Sequence, residues 1–197
     1  AVGVLGSIAV QTAPLEGVQN AFQGIATDAD GMLASLREGS LGMVTDRNLM
    51  ENYNQAAQLV GKTFADELPD AMGYLAKISA STGDDMGYLL DSLTRGVGRL
   101  SPMILDNLKV TVALGDATAR AAEMYGVEEE ALSKAQVQAG MMAITMEALA
   151  ENTADMPDVT DNASTQMAQF GTTMQNMKDE IGMMLLPMLK EVMGVFS

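Results

Sequence analysis

The strongest constraint on the fold is an apolar stripe near the end of the sequence. Its large side chains recur at alternating steps of three and four residues: Met167, Phe170, Met174, Met177, Ile181, Met184 and Met188. This spacing places them on one face of an α-helix. It predicts one long amphipathic helix over about residues 165–192, in which Pro187 either kinks the helix or marks a change of partner.

Upstream of the stripe, start and stop signals for helices recur at short intervals. Thr45 is a predicted N-cap for a helix that closes near Gly61, and Pro69 suits the first turn of a helix that Gly83 ends. Helices of two to four turns are not stable alone in water. The sequence therefore predicts short helices that pack on one another.

Further boundaries follow from side chains that cap helix ends. Ser101 is expected to cap a short helix that starts at Pro102, and Asp116 to cap the next one. Ser133 and Gln136 have the spacing of a capping box, which begins a helix that reaches about residue 149. Between these helices, residues 109–114 read KVTVAL and are predicted to be an extended connector.

These signals divide the chain into four parts. Residues 1–39 form a predicted Gly/Ala-rich helical arm, which Gly24 and Gly31 weaken and Gly39 ends. The other parts are a helical core region, a polar linker and the long methionine-striped helix, at residues 40–150, 151–164 and 165–197.

The composition supports an all-α fold class. The chain has 18 methionines against four phenylalanines, four tyrosines and no tryptophan. Methionine and alanine favour helices, whereas the aromatic and β-branched residues that favour strands are scarce.

Several kinds of chemistry are excluded. The chain has no histidine and no cysteine, which removes Ser-His-Asp and Cys-His catalysis, zinc sites and disulfides. A net charge of −15 opposes binding to nucleic acid phosphates. Asp155, Asp158 and Asp161 lack the ligand spacing of a calcium-binding EF-hand. No catalytic residue, metal or cofactor is expected.

Three stretches, in order, resemble one protein family. Residues 100–108 read LSPMILDNL and precede the extended run. Residues 122–126 read AEMYG and precede the helix from Ser133, and residues 175–182 and 184–189 read QNMKDEIG and MLLPML. The chain is similar in these stretches to the tail tape measure proteins of long-tailed bacteriophages and prophages. Lys109 departs from the family pattern, which commonly has glycine there, and so puts the following turn in doubt.

The resemblance implies a structural, non-enzymatic function. Such a protein sets tail length during assembly, occupies the lumen of the tail tube and is ejected ahead of the DNA. Implied partners are other copies of the chain, the tail tube protein, tail assembly chaperones and tail tip proteins, with possible transient contact with the host membrane. The implied location is the virion tail, and the host cytoplasm during assembly. A piece of a longer protein is expected, because 197 residues are few for a whole tail.

Three alternatives stay open. The stripe is either a core face of this chain or a surface for partners, self-association among them. The chain is alternatively a non-viral soluble helical adaptor module. A lytic enzyme is the third alternative, because long tape measure chains can carry peptidoglycan-cleaving domains, but no paired carboxylate motif is found here.

Overall fold

The computed structural model describes the backbone of residues 2–159 and 163–195, and the side chains of residues 14–159 and 165–187. These residues form helices joined by short loops and contain no strand, which confirms the all-α fold class. The described α-helices are α1 Val2–Ile25, α2 Ala29–Gly39, α3 Asp46–Leu59, α4 Lys62–Asp66, α5 Leu68–Thr82, α6 Met86–Gly98, α7 Pro102–Leu105, α8 Leu114–Tyr125, α9 Lys134–Thr153 and α10 Ala163–Val195.

Most of the predicted helix ends are confirmed. The Asn48 N–H donates to the Thr45 hydroxyl at the start of α3. Gly83 ends α5 with a left-handed φ of 79°, a conformation that glycine adopts without strain. Ser133 and Gln136 form both hydrogen bonds of the capping box that begins α9.

Of two further predicted caps, Asp116 is wrong, and Ser101 is confirmed in its position at the N-cap of α7 but not in its hydrogen bond. Ala113 occupies the N-cap of α8, and Asp116 lies in the first turn, where its charge favours the positive end of the helix dipole. Ser101 does precede Pro102, but its side chain makes no capping hydrogen bond.

The arm at residues 1–39 contains two helices. The chain breaks after α1, where Asp28 accepts a hydrogen bond from the Gly31 N–H at 3.0 Å and so begins α2. The break therefore arises from a capping aspartate. Gly24 lies inside α1, and Gly39 is the last residue of α2, as predicted.

The predicted connector is extended over residues 110–113, and its two valines, Val110 and Val112, are buried on one side. Before it, Lys109 has a left-handed φ of 60°. At the predicted linker, α9 continues to Thr153 and α10 begins at Ala163, while residues 160–162 lie outside the described residues. Through Pro187, α10 continues as helix.

The core is centred on α3, α5 and α6. Their fully buried side chains include Leu49 and Tyr53 from α3, Leu75 from α5 and Leu93 from α6. Helix α2 covers α5, while α9 packs against both α5 and α6. Helix α1 packs on α3, where Phe22 meets Tyr53 edge to face with ring centroids 5.0 Å apart.

Helix α6 is buried on most of its surface because its glycines let neighbours approach closely. A Cβ atom at Gly96 would lie 2.5 Å from the Leu105 side chain, and one at Gly98 would lie 2.8 Å from Leu59. Helices α7 and α3 therefore pack directly on the α6 backbone.

Helices α8 and α9 pack against each other as an antiparallel hairpin. A Cβ atom at Gly140 would lie 2.1 Å from the Ala117 carbonyl oxygen and 2.9 Å from the Ala121 Cβ. Nearby, the buried Gln138 amide donates to the carbonyls of Leu59 and Gly98, at 3.0 and 2.7 Å. These two hydrogen bonds join α9 to the C-terminal ends of α3 and α6.

Tyr53 joins the core to a surface ion pair. Its hydroxyl donates to Asp66 at 2.7 Å, and Lys62 also pairs with this carboxylate. Burial raises the pKa of Tyr53, and so does its hydrogen bond to Asp66. Partial burial acts to raise the pKa of Asp66, but the hydrogen bonds from Lys62 and Tyr53 outweigh it and lower the pKa.

We expect Gly140→Ala to destabilise the protein by about 1–3 kcal/mol, because the added methyl group collides with backbone that cannot move independently. Gly73→Ala is the matched control, since a Cβ there meets nothing within 4 Å. It should stabilise the fold by about 0.5–1 kcal/mol. Urea unfolding measures both changes, and equal effects of the two substitutions would contradict the close α8–α9 contact.

We expect Tyr53→Phe to lower stability at pH 7 by about 1 kcal/mol. A depressed Asp66 pKa contributes stability above its ordinary value of 3.8, which is lost as the pH falls through the folded-state pKa. The difference between wild type and variant should therefore shrink below pH 3.8. Urea unfolding at several pH values tests this, with the exposed Tyr88→Phe as control.

Candidate interaction surface on the last helix

Helix α10 packs along α1, and its buried described side chains are mainly polar. Thr165, Thr172, Asp179 and Leu186 are buried and lie seven residues apart, which places them on one side of the helix. Three of these four side chains are polar. The face of α10 that the fold buries is thus not the face with the large apolar residues.

Hydrogen bonds from this side of α10 reach the loop after α2 and the first residue of α3. The Gln169 amide donates to the Leu41 carbonyl at 2.9 Å. The Asp46 N–H donates to the Asn176 side-chain oxygen at 3.1 Å. Asp46 is itself held by two hydrogen bonds from Arg37, at 2.7 and 2.8 Å. These contacts fix the rotation of α10 about its own axis.

An ionic contact lies further along the same face. One oxygen of the buried Asp179 carboxylate accepts a hydrogen bond from the Gln175 amide at 3.0 Å. Its other oxygen lies 3.9 Å from Nε of Arg47 on α3. The opposite charge on Arg47 offsets part of the cost of burying this carboxylate.

The contact between α10 and the bundle is loosely packed. A cavity of about 470 Å³ lies between them, lined by side chains of α1, α2, α3 and α10 that include Leu15, Leu33, Met50 and Met183. Polar contacts and a partly open cavity stabilise a helix less than a filled apolar seam does.

The predicted partner-binding residues project away from the bundle. The exposed fraction ranges from 41% for Met174 to 73% for Met167. We call the described members the α10 stripe: Met167, Phe170, Met174, Met177, Ile181 and Met184. The side chain of Met188 lies outside the described residues. The interpretation of these six residues as a core face of this chain is therefore wrong, and their role in binding partners stays a prediction.

The buried polar face was not singled out from the sequence. Its signal is the seven-residue recurrence of Thr165, Thr172 and Asp179, which has the same period as the apolar stripe. Apolar periodicity normally marks the buried side of a helix. In α10 this rule fails, which is typical of a surface that meets another molecule.

A second concave surface carries an acidic side chain. A cleft of about 370 Å³ between α4–α5 and α8–α9 is mostly apolar and has Glu67 at its edge. Burial raises the pKa of Glu67, and so do the charges of Asp70 and Asp66. Glycosidases commonly need two carboxylates about 5–9 Å apart. Of the described residues that line this cleft, Glu67 is the one carboxylate.

The described residues offer neither a metal site nor a membrane-spanning helix. Among the described residues, no group of acidic side chains is placed to hold a metal ion, and Asp161 lies outside those residues. Within the same ranges, no helix has both the length and the apolar character needed to cross a membrane.

Comparison with known proteins gives no relative. The chain matches no protein-family model, no curated protein sequence and no solved structure.

The orientation of α10 is tested by placing the same charge on its two faces. We expect Met174→Glu to change stability by less than about 0.5 kcal/mol in dilute solution, because the side chain is exposed. Thr172→Glu puts a carboxylate into the buried face, so it should loosen α10. Hydrogen exchange of the α10 amides measures both effects. Greater loss of protection in Met174→Glu than in Thr172→Glu would show that the stripe faces inward.

Proposed function

We propose that this chain is a structural part of a bacteriophage or prophage tail tape measure protein and has no catalytic role. The observation that carries the proposal is the long helix α10, whose large apolar side chains point away from its own bundle. A protein that assembles with others inside a tail needs such a surface. In this proposal the α10 stripe contacts other copies, the tail tube protein, tail assembly chaperones or tip proteins.

The length of α10 suits a contribution to tail length. Its 33 residues span about 50 Å at about 1.5 Å per residue. Helices α2 to α9 instead fold back on one another, so adding residues there would not extend the molecule in proportion. The ruler function is accordingly assigned to α10, and the bundle to packing within the tail.

The net charge suits a protein that leaves the tail ahead of DNA. At −15 the chain repels the phosphate backbone, so passing DNA would not be held by it. The loosely packed contact beneath α10 is compatible with release from the bundle during ejection, and with a transient contact between the stripe and the host membrane.

The turn at Lys109 also supports the resemblance to tape measure proteins. The family commonly has glycine after the Asp-Asn-Leu phrase, and this chain has lysine. Its φ of 60° is the left-handed conformation that glycine favours. Lys109 thus has a backbone conformation that a glycine would also adopt, and an ion pair of 3.0 Å between Lys109 and Asp84 helps to hold it.

A soluble helical adaptor is the second candidate, and the capped, compact bundle favours it. The core formed by α3, α5 and α6 has the character of an independently folded interaction module. An adaptor of this kind would use the same stripe to bind its partner. The two candidates differ in whether the protein is found in tails.

The test is tail length after residues 165–192 are deleted in frame from the gene that encodes the chain. At about 1.5 Å per residue, we expect tails about 40 Å shorter by electron microscopy. A matched control keeps the length of α10 and replaces Met167, Phe170 and Met184 with glutamine, so that only the apolar contacts are lost.

The outcomes separate the candidates. Shorter tails in the deletion, with normal length in the control, support a ruler function for α10. Normal tails in the deletion make α10 a packing or docking element and overturn the ruler. Absence of the protein from purified tails would favour the adaptor.

A further inference from the structure

We propose that the α10 stripe is covered by α10 of a second copy of this chain, so that two such helices pair along their apolar faces. The inference deepens the proposed function, on which it rests for the setting in which copies meet. The partner assigned to the stripe is thus a second copy of the same chain.

The period of the stripe favours another helix as its partner. Steps of three and four residues keep the six side chains in line along a helix, from Met167 to Met184. Side chains with this period fit into the gaps of a second helix that has the same period. In a second copy, α10 offers that period on an equally exposed face.

The distribution of charge favours this face as the place where copies meet. Two chains that each carry a net charge of −15 repel one another over most of their surfaces. Along the described side chains of α10, the exposed charges are Lys178 and Glu180, which cancel, and Asp179 is buried beside Arg47. The stripe is thus a locally neutral surface on a strongly acidic molecule.

The exposed area is close to what a stable pair needs. The six side chains together expose the equivalent of more than three complete large residues. At about 200 Å² for a large side chain, this is on the order of 600 Å² of apolar surface. With the residues beside the stripe, each copy would bury about 800 Å², the usual area for one partner in a specific interface.

Both a parallel and an antiparallel pair bring the apolar side chains of the two α10 stripes into contact. In a parallel pair each stripe residue meets its own counterpart. In an antiparallel pair, Met174 faces Met177, Phe170 faces Ile181 and Met167 faces Met184. Met174 and Met177 lie near the centre of the contact in both arrangements, which makes them the positions at which to detect pairing.

Sedimentation equilibrium of the purified full chain is the first test. We expect a mass that rises from 20.7 kDa to twice that value at micromolar concentration. Met177→Glu should weaken the dimer at least tenfold, because it places two carboxylates in the seam. The matched control is Met103→Glu, which alters a methionine that is 80% exposed on α7, away from α10.

The proposal is overturned if the wild type stays monomeric at hundreds of micromolar, or if the control weakens the dimer as much as Met177→Glu does. Monomeric wild type that floats with phosphatidylcholine vesicles would assign the stripe to a lipid surface. A circular dichroism spectrum checks that each variant keeps its helices.

Cysteine cross-linking is the second test. Because the sequence contains no cysteine, only an introduced cysteine can form a disulfide. Under mild oxidation, a parallel pair should give disulfide-linked dimers of Met174→Cys, and an antiparallel pair should give them when Met174→Cys and Met177→Cys are mixed. Met103→Cys should not cross-link in either case, and cross-linking of Met103→Cys as strong as that at the α10 positions would contradict a specific α10 pair.

Pairing and the ruler function can fail separately. A dimer in solution together with unchanged tail length after the deletion overturns the ruler only. A monomer together with shortened tails overturns the pairing only.

Discussion

The fold depends on the burial of α6. Its neighbours are helices of only a few turns, which are unstable alone and gain their stability from packing against it. Gly96 and Gly98 let α7 and α3 approach the α6 backbone, and the Gln138 amide ties α9 to the same end. Adding a side chain at either glycine would separate several helices at once. The helices that pack on α6 therefore depend on one another for their stability.

Helix α10 follows a different principle. It packs along α1, and hydrogen bonds to Leu41 and Asp46 and the charge of Arg47 also hold it, while the side chains of the α10 stripe stay in solvent. Leaving large apolar groups exposed forgoes stabilisation of roughly 1.5–3 kcal/mol for each side chain that could be buried completely. A chain that keeps this arrangement holds the stripe available for contacts outside its own bundle. The residues that stabilise the bundle are therefore different from the residues that α10 exposes for contacts with other molecules.

Local signals in the sequence predicted most of the architecture. Thr45, Gly83 and the Ser133–Gln136 pair act within one helical turn, so their effect can be read from neighbouring residues. The cap at Asp28 was not predicted, because the apolar residues before and after it have nearly continuous helical spacing that does not mark a break. The helical span and the stripe of α10 were also predictable from periodicity. Which face α10 buries was not, because that choice depends on partners more than a hundred residues away in sequence.

The uneven burial of the methionines gives the two parts of the molecule different chemical fates. Oxidants convert an accessible thioether into a polar sulfoxide, and accessibility governs which methionines react. Met72, Met86 and Met141 are enclosed in the core, whereas Met167 and Met184 are open to solvent. Mild oxidative damage would thus make α10 hydrophilic and leave the bundle folded. The protein would therefore lose the apolar surface of α10 before its bundle unfolded.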